Sequence, residues 1–433
     1  MNDRRPLLDV LRRNPLFRKL WTAQLISQTG DWLSRTAVLG LLSSLGARDA
    51  MVGVGALYAA ELATRLLPSA LLYPLAGPAA DRLPRRFLMV GADFLRVLIV
   101  LGLLAVKEPS DLPLLYGLVM AQVGLGTFFA SAQSAAIPSI VDKDELQDAY
   151  AVSSATWSFT LSLGAALGGL SVRYLGTQGA IVVDALTYVV SASLLLRLRL
   201  PEVEKHPQPF RLRDILLFTD IRRGLAHARE RGTGAILLAK SLWGGAGGFL
   251  VALSLLSRQR FAASGPDGNP APESVALIVG LFYAARGLGT GAGPVIARRF
   301  LGSNDKDLRR QIRLGFALGA LGYALIPLTS SFGAALACVA LSHSGGSILW
   351  VASTTFWQRK VDNAYRGRVF ALEFLGMTLS FALGGLAAAL VFDATQDLKR
   401  TLWTSVSLVA LGGLLWSWID ADRRKLPDTT PSE

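Results

Sequence analysis

The sequence predicts an all-α membrane protein with twelve transmembrane helices in two pseudo-symmetric six-helix bundles. Its composition, its series of apolar segments and an internal repeat support this fold class. Of the 433 residues, 52% are apolar and only 17% are charged, whereas soluble domains are about 45–50% apolar and about 25% charged. The apolar surplus must face lipid, and the 43 glycines scattered through the apolar segments suit closely packed membrane helices.

Twelve segments are long enough to cross a hydrocarbon core about 30 Å thick, which needs about 20 residues. They run roughly over 17–45, 50–76, 87–106, 112–136, 149–173, 178–197, 233–257, 274–297, 312–329, 334–357, 368–393 and 401–420. The segments 178–197 and 312–329 are barely long enough. The first segment is too long for a cleaved signal peptide. Twelve spans place both termini on one side of the membrane.

The distribution of positive residues predicts the orientation of these spans. Of the 44 Lys and Arg residues, 32 lie in the termini or in loops on the same side, 7 lie in loops on the opposite side, and 5 lie inside spans. Because cytoplasmic loops carry an excess of Lys and Arg, both termini are predicted to be cytoplasmic. The net charge of +13 is therefore explained by the positive cytoplasmic loops, and no nucleic-acid partner is expected.

An internal repeat divides the chain into two halves with offsets of about 215–220 residues. The motifs that return are Val141-Asp142 with Asp148-Ala149-Tyr150, echoed by Val361-Asp362-Asn363-Ala364-Tyr365, and Gly168-Gly169, echoed by Gly384-Gly385. The predicted domains are a six-helix bundle with its tail over 1–197, a cytoplasmic connector over 198–232, and a second bundle with its tail over 233–433. An apolar stripe in the connector predicts a helix at the membrane interface, with a solvated linker helix as the alternative.

The loop after the second span resembles a signature of the major facilitator superfamily. That signature usually reads Gly, three residues, Asp-Arg, one residue, Gly-Arg and a base; here it runs from Gly77 to Arg86, with Pro84 in place of the second Gly. Three further segments resemble a narrower branch that contains bacterial exporters of macrolides, siderophores and similar compounds. They are 14–21 with Gly30-Asp31, 124–138, and 366–370. The resemblance implies the major facilitator fold and transport by alternating access.

The resemblance also implies a cytoplasmic gate. Asp81 lies in a short turn, where its carboxylate can pair with nearby arginines or sit at the N-terminus of another helix, whose dipole favours an anion. The family pattern names the start of the eleventh span as that partner. The expected gate residues are Gly77, Asp81, Arg82, Arg85, Arg86, Arg366, Gly367 and Arg368. As an alternative, the arginines only anchor the cytoplasmic loops.

Charged residues inside the predicted spans are the next candidates. Each costs about 2.5–3.5 kcal/mol at a helix centre, so charges that face lipid unpaired should be rare. The acidic members are Asp31, Glu61, Asp93, Asp184 and Glu373, and the basic members are Arg35, Arg65, Arg96, Lys240 and Arg286. Their equal numbers predict mutual pairing. Three couples share a helix face because they lie three or four residues apart: Asp31 with Arg35, Glu61 with Arg65, and Asp93 with Arg96.

Proton coupling requires a carboxylate whose partner can move away, because a carboxylate beside an arginine holds no proton at neutral pH. The candidates for coupling or for a substrate charge are Asp31 with Arg35, Glu61 with Arg65, and Glu373, for which Lys240, Arg286 or a loop arginine is the predicted partner across the halves. The family places the helices of Asp93 and Asp184 at the periphery, so a structural role is expected for both. The alternative for every candidate is a fixed ion pair between helices.

A glycine motif in the fifth span has two interpretations. Gly164, Gly168 and Gly169 resemble the antiporter signature of the family, although Ala165 replaces its proline. The same glycines are small residues that allow close helix contact, and we favour this interpretation. The fourth span has no arginine over 120–124, where many drug and proton antiporters carry one, which excludes coupling through that residue.

The sequence as a whole predicts a monomeric secondary transporter in the cytoplasmic membrane that exports a small lipophilic or amphipathic molecule in exchange for protons. A lipid or lysolipid translocator or an importer of the same fold is the alternative. The three histidines are dispersed, and no phosphate-binding P-loop occurs in the sequence. Neither a metal nor a cofactor is therefore expected. A membrane enzyme or a membrane sensor is a remote alternative. The expected partners are the substrate, H⁺ and the lipid bilayer.

Overall fold

The computed structural model describes residues 9–48, 53–201, 225–228 and 230–423, and these ranges are almost entirely helical. The helices are α1 (Asp9–Arg13), α2 (Pro15–Arg48), α3 (Val54–Arg82), α4 (Arg85–Gly102), α5 (Leu112–Ile140), α6 (Leu146–Leu196), α7 (Gly234–Leu242), α8 (Ala246–Leu256), α9 (Pro272–Leu301), α10 (Asp305–Leu325), α11 (Phe332–Lys360), α12 (Asn363–Thr395) and α13 (Leu398–Arg423). No β-strand occurs in the described ranges, where the only bridge joins Ser264 and Pro270.

The twelve predicted spans all correspond to helices. Among the described residues, nine helical segments are long and apolar enough to cross a membrane, and one of them, Gly234–Phe261, contains both α7 and α8. Another, α6, has 51 residues and a length of about 76 Å, and it breaks at Gly176, whose φ of 70° suits glycine. It therefore provides two spans. With α2 and α3, which are long enough but interrupted by polar residues, the total is twelve.

Three helix boundaries differ from the prediction by five or more residues. The second span was expected to end near 76, but α3 ends at Arg82, so most of the predicted loop that contains Asp81 is helical. The eleventh span was expected to begin near 368, but α12 begins at Asn363. The ninth span was expected to begin near residue 312, but α10 begins at Asp305. A capping box explains the earlier start, because the Asp307 N–H donates to Asn304 Oδ1 at 2.9 Å and the Asn304 N–H donates to Asp307 Oδ2 at 3.3 Å. Arg309 and Arg313 therefore lie on a helix rather than in a loop.

The described residues form two compact units. Unit 1 contains 1–215 and 253–288, and unit 2 contains 216–252 and 289–433. The internal repeat places the segment 253–288 in the second half of the chain, whereas its contacts place it in unit 1. The connector helix predicted within 198–232 lies almost wholly outside the described residues. Within the connector, the described residues 225–228 are helical.

Glycines allow the closest helix contacts in unit 1. A Cβ on Gly164 would lie 3.0 Å from the Thr29 carbonyl oxygen, and one on Gly168 would lie 2.7 Å from the Cα of Leu33, so both residues let α6 approach α2. A Cβ on Gly169 would lie 2.9 Å from the Cα of Leu277 on α9. The glycine motif of the fifth span therefore serves close packing between three helices.

Candidate functional site

Glu61 on α3 is held by two arginines. Arg35 of α2 places its Nε 3.2 Å from Glu61 Oε1, and Arg65, one turn further along α3, bonds to the same oxygen. All three side chains are almost completely buried. Glu61 lies seven residues after Val54, or about 11 Å into the helix, so the site is halfway between the Val54 end of α3 and its middle.

The predicted pair of Asp31 with Arg35 is wrong. Arg35 forms an ion pair with Glu61 instead. Its guanidinium lies 4.8 Å from the ring centre of Tyr283 and 5.7 Å from that of Trp32. The physical reason is that a shared helix face brings two residues within reach without deciding their partners. The carboxylate of Glu61 and the aromatic ring of Tyr283 offer Arg35 a buried ion pair and a cation–π contact together.

Asp31 belongs to a second cluster in unit 1. The Arg96 guanidinium of α4 bonds to Asp31, and the Tyr188 hydroxyl of α6 donates to Asp31 Oδ1 at 2.6 Å. Arg96 also reaches Asp93 Oδ1 at 3.3 Å, as the i, i+3 spacing predicts. The Asp31 side chain is 34% exposed, whereas Arg96 and Asp93 are buried. Asp31 is thus the accessible end of a buried charged cluster.

Asp184 lies beside this cluster, on the part of α6 that follows Gly176. It is fully buried, and neither of its carboxylate oxygens has a hydrogen-bond partner among the described residues. Its Oδ1 lies 2.5 Å from the position that a Cβ on Gly30 would take. The structural role expected for Asp184 did not anticipate this isolation, because burial without a partner is a property of tertiary packing.

Unit 2 contains a third buried charged site. Lys240 Nζ of α7 donates to Glu373 Oε2 of α12 at 2.7 Å and to Thr354 Oγ1 of α11 at 2.7 Å, and the Trp357 indole N–H donates to Glu373 Oε2 at 3.1 Å. Lys240 also lies 4.1 Å from the ring centre of Trp350. The expected partner of Glu373 is therefore present, but the pair forms within one unit rather than across the halves.

The residues of the predicted gate lie at the ends of their helices. Gly77 and Asp81 lie in the last turns of α3, and Asp81 is exposed without a partner among the described residues. Arg85 donates to the Ala80 carbonyl at 3.4 Å, and Arg86 donates to the Leu198 carbonyl at 3.4 Å. These bonds attach the start of α4 to neighbouring backbone within unit 1.

On the α12 side of the predicted gate, Arg366 donates to the Val361 carbonyl at 3.1 Å. Gly367 and Arg368 belong to α12, but their side chains lie outside the described residues. Pairing between Asp81 and the start of α12 stays a prediction.

Sequence reasoning missed one buried charged residue. Asp420, near the end of α13, is fully buried and pairs with Arg309 and with Arg313, whose nitrogen lies 3.0 Å away. The two arginines are four residues apart and share a face of α10. This spacing was the feature of the sequence that could have indicated a buried acidic partner. Asp420 was overlooked because it falls on the last residue of the predicted twelfth span.

No group of three or more His, Cys, Asp or Glu side chains in the described ranges is arranged to hold a metal ion. His343 is buried on α11, and its Nε2 lies 3.2 Å from the Tyr323 hydroxyl. The ring of Tyr323 stacks on Phe249. His343 is thus a hydrogen-bonded core residue of unit 2.

Comparison with known proteins identifies the family. The model of the Major Facilitator Superfamily matches residues 20–385. The MFS-type transporter Rv0037c of Mycobacterium tuberculosis is 30% identical over 400 residues, which cover 88% of this chain and 86% of that protein. Macrolide efflux protein A of Streptococcus pyogenes is 22% identical over 386 residues, which cover 87% of this chain and 89% of that protein.

A solved structure confirms the fold class. The crystal structure of a bacterial homologue of the human lysosomal transporter Spinster, in an inward-facing and occupied conformation, matches with a TM-score of 0.70 and 13% identity, over 96% of this chain and 99% of that chain. The expected fold of twelve membrane helices is therefore confirmed, and the relatives are transporters rather than enzymes. The chain is a member of the major facilitator superfamily of transporters.

Proposed function

We propose that this protein is a secondary active transporter that exports a small lipophilic or amphipathic molecule across the cytoplasmic membrane in exchange for protons. The observation that supports coupling is the Asp31 cluster, in which a partly exposed carboxylate contacts a buried arginine near the middle of a membrane helix. Intramembrane charges are costly and mark ion pathways or proton relays. The name of macrolide efflux protein A supports export of a lipophilic compound.

Alternating access links the coupling residue to substrate movement. In the described state Asp31 is paired with Arg96, and an arginine neighbour favours the ionised carboxylate. A conformational change that moves Arg96 away favours proton uptake by Asp31, and the reverse change favours its release. Glu61 and Glu373 are further candidates, but both carboxylates are buried, whereas Asp31 is partly exposed. Release of their ion pairs is therefore more costly.

Transport in reconstituted vesicles tests the proposal. A panel of lipophilic compounds that includes a macrolide should accumulate only when a pH gradient is imposed. Asp31→Asn should abolish this accumulation while downhill equilibration continues, because the titrating step is lost and the conformational change remains. Asp267→Asn, which changes an exposed carboxylate in a loop, should accumulate the compounds as the wild type does.

Several results would contradict this proposal or part of it. Accumulation that is independent of the pH gradient would exclude proton coupling. Net movement of lipid or lysolipid instead of the compounds, or accumulation in the import direction, would favour the alternatives of the same fold. Full gradient-driven activity of Asp31→Asn at normal abundance would remove Asp31 as the coupling residue.

The gate motif leads to a separate prediction. Asp81→Asn should slow transport several-fold while folding and substrate binding stay close to the wild type, because a gating contact shifts the balance of conformations by about 1–3 kcal/mol without touching the substrate site. Initial transport rates and equilibrium binding of the same compound measure the two effects. Asp305→Asn is the control for an exposed acidic residue at a helix start. An unchanged rate in Asp81→Asn would mean that the loop has no gating role and only anchors the cytoplasmic side through its charges.

The proposed orientation places both termini in the cytoplasm. In a Cys338→Ala background, which removes the single cysteine, a cysteine at position 399 should react with an impermeant reagent in intact cells. A cysteine at position 82 should react only after the cells are opened, because the positive-inside bias places that loop in the cytoplasm. Labelling of position 82 together with protection of position 399 would reverse the orientation.

A further inference from the structure

The unpartnered carboxyl of Asp184 requires a physical account. Ionised carboxylates that are removed from water are very costly unless they are paired or hydrogen-bonded. Asp184 is fully buried, and both of its oxygens lack a hydrogen-bond partner among the described residues. It lies against Gly30, next to Asp31 in the chain, because its Oδ1 occupies space that a Cβ on Gly30 would need.

The charged groups that face Asp184 do not provide a free cation. They are Asp31, Arg96 and Arg65, and the neutral side chain of Ser34 also lies close to Asp184. Arg96 already bonds to Asp31 and Asp93, and Arg65 already bonds to Glu61. If Asp31, Asp93 and Asp184 were all ionised, three negative charges would lie near Arg96, which bonds to Asp31 and Asp93 but not to Asp184.

We propose that Asp184 is a buried proton-binding residue that is protonated in the described state and exchanges its proton with Asp31. This inference deepens the proposed function, on which its role in coupling rests. A neutral carboxyl removes the charge that burial penalises and leaves Arg96 for Asp31 and Asp93. Asp184 then stores the proton, and Asp31 is the group through which the proton reaches water.

The exchange balances as a proton transfer between two carboxyl groups. The O–H bond of Asp184 breaks, an O–H bond forms on the Asp31 carboxylate, and the negative charge moves from Asp31 to Asp184. The proton then leaves Asp31 for water on its exposed side. Arg96, which carries its charge throughout, is the cation that the newly ionised Asp184 requires.

Tyr188 is placed to assist this transfer. It lies four residues after Asp184 on the same face of α6, its hydroxyl donates to Asp31 at 2.6 Å, and Gln122 donates to that hydroxyl at 2.8 Å. The Arg96 guanidinium lies 4.3 Å from the Tyr188 ring centre. The hydroxyl orients the receiving oxygen of Asp31, and we assign Tyr188 as a positioning residue.

Infrared spectroscopy of the full-length protein in lipid tests the proton on Asp184 without a substrate. The wild type near neutral pH should show the C=O stretching band of a protonated carboxylic acid that shifts in D₂O. Asp184→Asn should remove this band. Asp93→Asn is the matched control, because it changes a buried carboxyl of the same cluster that is already bonded to Arg96, and it should retain the band.

A second variant keeps the test decisive if Asp184→Asn folds poorly. Gly30→Ala would place a methyl group 2.5 Å from Asp184 Oδ1 and nearer still to Thr187 Oγ1, so both side chains must shift. The frequency of the same band should therefore change without loss of the band. An identical band in the wild type, Asp184→Asn and Gly30→Ala would overturn the assignment. Disappearance of the band in Asp93→Asn alone would assign the proton to Asp93 and overturn it as well.

Transport separates this inference from the proposed function. If a pH gradient drives accumulation and Asp184→Asn accumulates the compounds as the wild type does, Asp184 is not in the coupling path although the protein is a proton-coupled exporter. If the band depends on Asp184 but accumulation ignores the pH gradient, proton-coupled export fails while Asp184 stays a protonated buried group. Loss of the band together with loss of gradient-driven accumulation in Asp184→Asn supports both.

Discussion

Glu373→Gln should lower the free energy of unfolding by about 3–5 kcal/mol, because removal of one partner of a buried ion pair leaves an uncompensated charge. Lys240 and Glu373 are both almost completely buried, and the substitution removes the negative charge that balances the Lys240 ammonium. Neutral contacts with the Thr354 hydroxyl and the face of Trp350 remain. A denaturant titration of the purified protein in mixed micelles measures this loss. The double variant Lys240→Met with Glu373→Gln should recover most of it, because neither charge is then left buried.

A surface pair provides the matched control for this effect. Lys360 and Asp305 lie 2.9 Å apart with both side chains more than 40% exposed, so Asp305→Asn should cost at most about 1 kcal/mol. If Glu373→Gln is as stable as Asp305→Asn, the charges of Lys240 and Glu373 are not both present and buried in the folded protein. Full recovery of transport in the double variant would also exclude Glu373 as a proton carrier.

Glu61→Gln should produce the second large effect, because it leaves two buried arginines without their shared carboxylate. Arg35 and Arg65 both bond to Glu61, and their repulsion adds to the cost of the unpaired charges, so we expect a loss of about 3–5 kcal/mol in the free energy of unfolding. Abundance in the membrane and the same denaturant titration measure the loss.

Two double variants identify which arginine depends on Glu61. Arg65→Gln with Glu61→Gln should restore stability in part, because Arg35 retains its contacts with Tyr283 and Trp32. Arg35→Gln with Glu61→Gln should restore less, because the structure shows no aromatic ring against Arg65 among the described residues. Equal stability of Glu61→Gln and the wild type would contradict an ionised Glu61. Retained gradient-driven transport in a stable Glu61 double variant would leave Asp31 as the coupling candidate.

The sequence alone determined the fold class and, apart from Asp420, the set of buried intramembrane charges. Segment length and composition determine which parts of the chain can face lipid, and the repeat near 215–220 residues predicts two related halves. The glycine motif was correctly interpreted as a close helix contact, because the absence of a side chain has the same consequence in most membrane helices. The pair of Glu61 with Arg65 and the pair of Asp93 with Arg96 also followed from helical spacing.

Tertiary structure decided the remaining partners. Spacing along one helix gives Asp31 and Arg35 a common face, but the packing of α2 against α3, α4 and α6 assigns Asp31 to Arg96 and Arg35 to Glu61. Lys240 and Glu373 are 133 residues apart, so no local rule relates them. Asp184 is isolated because no described residue of the neighbouring helices forms a hydrogen bond with its carboxyl oxygens. Local spacing limits which side chains can meet, whereas the distances between helices determine which of them do.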